Sequence, residues 1–147
     1  MTLANEGNRT YTLAYWTVDG PVDAVTEVTA AGERRVVDNL TGTAGARLFG
    51  GDDLRDVEWP EEAEQRGSFQ LGPGSSVSGP VEDPAPGTTV LFLARTDDRV
   101  VAWGTADCGA DDALTLVDFT MDERGPGLGI GCEGLGGGGT PDERTGR

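Results

Sequence analysis

The sequence predicts an all-β protein, a single-domain antiparallel β-sandwich or barrel of about eight to ten short strands. Three observations support this. Short stretches with the two-residue periodicity of a half-buried strand recur along the chain, separated by turn residues. Glycine occurs 24 times in 147 residues, about twice the usual share, which suits tight turns. Helix formers are sparse: lysine is absent, alanines are scattered, and the one dense acidic run, Glu61-Glu62-Ala63-Glu64-Gln65, is too short to stand alone as a helix.

The first strand covers Arg9 to Val18, with Tyr11, Leu13 and Tyr15 on one face and Thr10, Thr12 and Trp16 on the other. Asp19-Gly20-Pro21 turns the chain into a second strand, Val22 to Thr29, whose Val22, Ala24, Thr26 and Val28 share a face. Ala31-Gly32-Glu33 turns it again into Arg34 to Leu40. Two short strands follow near Ala46–Phe49 and Leu54–Trp59, the second ended by Pro60, and a further one covers Ser68 to Leu71.

Residues 72–87 hold Gly, Pro or Ser at most positions and are expected to form a long loop. Thr88 to Arg95 and Arg99 to Gly104 flank Thr96-Asp97-Asp98 as a hairpin, and the unbroken apolar run Val90–Ala94 places it at the centre of the core. Ala113 to Met121 alternates, with Leu114, Leu116 and Asp118 opposite Thr115, Val117 and Phe119. From Gly125 to Cys132 every second residue is glycine. Extended, this segment has one apolar face and one bare face that another backbone or ring can approach; otherwise it is a flexible loop. The domain is expected to span residues 1–135, followed by a flexible, glycine-rich tail over 136–147.

Charge narrows the functional classes. Twenty-six acidic side chains stand against 11 basic ones, all arginine, for a net charge of −15. Such a body repels itself in dilute buffer, whereas a Debye length of ~3 Å in molar salt screens most of that repulsion. Arginine is less strongly hydrated than lysine and grips carboxylates bidentately. Full replacement of lysine by arginine on an aspartate-rich chain is similar to proteins of extreme halophiles and their viruses. With no basic patch there is nothing to displace counterions from nucleic acid or to hold an anionic membrane. No apolar run reaches the ~20 residues of a membrane span, and the polar first residues predict neither signal peptide nor anchor.

The side-chain inventory argues against catalysis. Without histidine there is no Ser-His-Asp triad and no ordinary base near neutral pH; without lysine there is no P-loop and no Schiff base. The protein is therefore expected not to be an enzyme and to need no cofactor. A calcium ion is the one candidate ligand: Asp52, Asp53 and Asp56 sit in a glycine-preceded loop, and Asp107, Asp111 and Asp112 cluster beside Cys108. Neither set matches a known calcium loop, and both also read as solvated acidic surface. Cys108 and Cys132 are the only cysteines. They form a disulfide contributing roughly 3.5 kcal/mol by chain entropy, or they remain two buried thiols. Asn8 and Asn39 lie in glycosylation sequons that matter only if the protein is exported.

The segment Leu40 to Arg55 (LTGTAGARLFGGDDLR), following the strand-turn pattern of Tyr11 to Val28, resembles immunoglobulin-like β-sandwich surface domains of halophilic archaea and their viruses. The resemblance covers about a third of the chain and rests on turn residues. It implies a surface module and supplies no catalytic residues. Two functions remain. One is a virion structural component (coat, decoration or tail) of a halophilic virus, partnered by other subunits of its assembly and by copies of itself. The other is an exported cell-surface module binding a glycan, calcium or a protein.

Overall fold

The computed structural model describes residues 1–38, 40, 45–79, 85–97, 99–109 and 111–134, and the side chains at 45, 51, 52, 133 and 134 lie outside that description. Within it the chain forms eleven strands and no helix: β1 (Thr2–Asn5), β2 (Tyr11–Asp19), β3 (Val25–Thr29), β4 (Arg34–Val37), β5 (Gly45–Glu58), β6 (Glu64–Leu71), β7 (Ser76–Ser78), β8 (Thr88–Thr96), β9 (Arg99–Asp107), β10 (Asp112–Asp122) and β11 (Gly125–Gly134). A seven-stranded sheet runs β4-β3-β5-β9-β8-β2-β6, and a four-stranded sheet runs β11-β10-β1-β7. All pairings are antiparallel except β1 with β10, which is parallel. The expected all-β sandwich is therefore the fold.

The β8–β9 hairpin lies in the middle of the large sheet, and Val90 to Ala94 are all buried. Alternation divides them between two cores. Val90, Phe92 and Ala94 face the small sheet with Leu3, Leu13, Val117 and Phe119; Leu91 and Leu93 face the opposite side with Val25, Leu54, Val57 and Trp103. Strand β5 of the same sheet is irregular. Its first half pairs with β9 from Gly45↔Asp107 to Gly50↔Ala102, the register breaks between Gly50 and Leu54, and its second half pairs with β3. The two strands expected near 46–49 and 54–59 are thus one strand interrupted by a bulge. The turns form as anticipated, with Gly20 at φ 104° and Gly32 at φ 89°, while Asp97 adopts φ 54° in the two-residue hairpin turn.

The structure departs from the sequence expectation in two more places and decides between the two alternatives for the glycine-alternating segment. A bulge between Leu114 and Leu116 reverses the alternation of β10, so Leu114 joins Val117 and Phe119 in the core and Leu116 is 48% exposed. The glycine-alternating segment is a strand, with Leu128 and Ile130 packed inward opposite Phe119 and Val117. The segment 72–87 is not all loop, since Ser76–Ser78 pairs with β1. Part of that loop and all of the 136–147 tail lie outside the described residues.

Candidate functional site

The two long flanks of the sandwich are built differently. On one, β11 runs beside β5, and the Cys108–Cys132 disulfide, with Cα atoms 5.7 Å apart, ties the end of β9 to β11. On the other, β6 ends the large sheet and β7 ends the small one, and the layers do not close. An open groove of about 300 Å³ lies there, lined by Met1, Leu3 and Val77 from the small sheet and by Tyr15, Arg66 and Phe69 from the large sheet.

Glycine shapes the groove wall. Gly67 pairs with Tyr15 across β2 and β6, and a Cβ on it would lie 2.7 Å from a ring carbon of Phe69 and 2.8 Å from one of Tyr15. Any side chain there would push the two rings off the strand. A register break between Tyr15 and Trp16 leaves Arg66 as the extra residue of β6 and turns it toward the groove. Its Nε donates to Thr17 Oγ1 at 2.8 Å and its guanidinium meets Glu64 at 3.0 Å. Arg66 is the one side chain of the lining that carries charge.

Asn5 anchors the end of β1. It is fully buried, its amide NH2 donates to the Arg9 and Leu71 carbonyls at 2.6 and 2.8 Å, and its side-chain oxygen accepts from the Gly7 amide at 2.9 Å. Its main chain accepts from Gly74 and donates to Ser75. One residue, through its side chain and its main chain, thereby joins the end of β1, the end of β6 and the turn leading into β7. A buried amide with every group satisfied holds a backbone crossing that apolar packing alone leaves free to slide.

The groove was detectable in the sequence, although by a different signal from those used above. Residues 65–81 contain no Asp or Glu, where 26 acids spread over 147 residues would place about three. That stretch spans nearly all of β6 and the whole of β7. The acid-poor flank of a strongly acidic molecule is thus also its open flank.

The residues singled out for chemistry lie elsewhere. Asp53 pairs with Arg35 at 3.2 Å, and Asp56 pairs with Arg95 at 3.2 Å while accepting from the Val57 amide. These two carboxylates therefore face arginines, and the side chain of Asp52 is outside the described residues. Among the described residues no three acidic, Cys or His side chains converge to hold a metal ion. Asp107 accepts from the Gly109 amide at 3.1 Å. Asn8 is exposed in the bend after β1, and Asn39 is outside the described residues.

One polar cluster in the second core was not anticipated. Glu27 is buried, accepts from the Trp103 indole N–H at 2.8 Å and faces Arg35 at 3.5 Å. Trp103 stacks on Phe49 with centroids 4.2 Å apart and meets Trp59 edge-on at 5.9 Å. The carboxylate is thus engaged by the Trp103 indole and by Arg35. Compared with protein-family models, with curated proteins and with solved structures, the chain matches none.

Proposed function

We propose that this protein is a non-enzymatic structural subunit of a larger assembly that works in concentrated salt, in its most specific form a coat, decoration or tail component of a halophilic virus. The observation that carries this reading is the coincidence of the open groove with the acid-free segment of a chain bearing −15. In molar salt, charge attraction beyond ~3 Å is screened, so subunits must recognise each other through apolar burial and backbone pairing. The β6–β7 flank offers both, and the carboxylates elsewhere keep the body hydrated and soluble. Other protein subunits, including further copies of this chain, are the partners this surface suits. Isolation of native particles from a high-salt source tests the reading: the chain should co-purify with them at stoichiometric abundance. Its recovery only as a free species would overturn the proposal.

A second reading, an exported immunoglobulin-like surface module, is favoured by two observations: the Cys108–Cys132 disulfide, a bond typical of oxidising compartments, and the exposure of the Asn8 sequon. Intact mass of native material separates the two. A glycan on Asn8 or Asn39 supports export, and an unmodified chain in particles supports the virion.

A further inference from the structure

We propose that β6 pairs with β6 of a second copy, antiparallel about a two-fold axis, joining two seven-stranded sheets into one; this rests on the assembly reading above and names the surface that serves it. Among the described residues no strand or loop pairs with the outer edge of β6, whose only partner is β2. In an antiparallel ladder about half of a strand's amide and carbonyl groups point away from its one neighbour, so eight residues from Glu64 to Leu71 present a row of unused donors and acceptors.

The other three edges suit pairing less well. β7 is three residues long. β4 is four, and its two arginines are already engaged with Glu58, Glu27 and Asp53. β11 carries Pro126 and lies beside β5. β6 has no proline, and its two charged residues, Glu64 and Arg66, neutralise each other within the strand. It therefore supplies an edge along which two bodies of −15 can approach with a single carboxylate on each strand, and that one paired with Arg66. An isologous contact needs a surface that complements itself, and a neutral strand pairing antiparallel with its own copy meets that condition through the backbone alone. Phe69, 36% exposed at the groove rim, would be covered in the same step.

The test is sedimentation velocity of the full chain in 3 M KCl across a range of concentrations, with Ser68→Cys and Val36→Cys variants oxidised in parallel. Val36 is the control because it is 65% exposed on the β4 edge. The expected result is a species of twice the 15.3 kDa chain mass, with covalent dimer formed at least tenfold faster by Ser68→Cys than by Val36→Cys. Tryptophan emission matching the parent certifies that each variant is folded. A monomer at every concentration, or cross-linking that favours Val36→Cys, overturns β6 pairing. Neither result touches the assembly reading, which stands or falls on co-purification with particles.

Discussion

Replacing Trp103 by Phe isolates a buried hydrogen bond to a carboxylate in the second core. The Phe variant keeps an aromatic ring beside Phe49 but removes the indole N–H that Glu27 accepts at 2.8 Å. The orphaned oxygen of a largely buried carboxylate costs about 1.5–3 kcal/mol, and the lost ring volume costs about 1–2 kcal/mol more. The variant is therefore expected to lose about 2.5–5 kcal/mol. Glu27→Leu removes the other partner, and Arg35 tolerates this because it is half exposed and retains Asp53. In the double variant neither group is left orphaned, so the cycle should show a coupling of about 1.5–3 kcal/mol. Urea unfolding in 1 M and in 3 M KCl, read by Trp16 and Trp59, measures all four proteins. The coupling should not change between the two salt concentrations, because the bond is in the interior. A coupling below about 0.5 kcal/mol would refute the argument that the indole N–H holds Glu27 in the core.

Three further outcomes follow from the same geometry. Cys108→Ala with Cys132→Ala should lower stability by about 3–4 kcal/mol, from the loop closed over a separation of 24 residues, measured as the shift in urea midpoint; a loss under 1 kcal/mol contradicts it. Gly104→Ala places a Cβ 2.6 Å from the Arg47 carbonyl oxygen, inside a paired strand that cannot swing away, and should cost about 1–3 kcal/mol. Gly129→Ala points into open space and should be neutral or stabilising by up to about 1 kcal/mol, so equal effects at the two glycines would reject the packing account. Dialysis from 3 M KCl to dilute buffer should shift tryptophan emission to the red as Trp103 becomes solvated, and an unchanged spectrum rejects the adaptation to salt.

Periodicity located strands well where a single face was buried, and it failed where backbone irregularity intervened. Tyr11, Leu13 and Tyr15 pack together against the first core and Trp16 against the second, as their alternation requires. One inserted residue in β10 was enough to exchange Leu116 for Leu114, because the side-chain period is two and a bulge adds one. β1 and β7 are short and lack contrast: Ser76-Val77-Ser78 has one apolar residue, and its position follows from Asn5 and from pairing across 75 residues or so of chain, neither of which a local pattern records. The groove falls in the same class. Its lining comes from four separate strands, so the only local trace is the gap in carboxylates over residues 65–81. The paired aspartates stood out in the sequence because of their spacing, yet Asp53 and Asp56 are held by arginines from β4 and β8.

The distribution of ion pairs leads to a last prediction. Among the described residues, four such pairs join β4 to β3 or β5, or β8 to β5, a fifth lies within β6, and each has at least one partner exposed by a third or more. Pairs of this kind contribute about 0–1 kcal/mol even in dilute salt. Stability in molar salt must then come from the two apolar cores and the disulfide, which leaves the surface free to carry charge or to omit it without unfolding the domain. Ser68→Asp combined with Gln70→Asp exploits that freedom, since both side chains are exposed on β6. The pair should leave the urea midpoint within about 0.5 kcal/mol of the parent. In 1 M KCl it should weaken self-association at least tenfold, with partial recovery in 3 M KCl as the new carboxylates are screened more closely. An unchanged association constant would mean that the missing carboxylates on this flank have nothing to do with contact between subunits. An equal loss of fold stability would mean that β6 is acid-free for internal reasons instead.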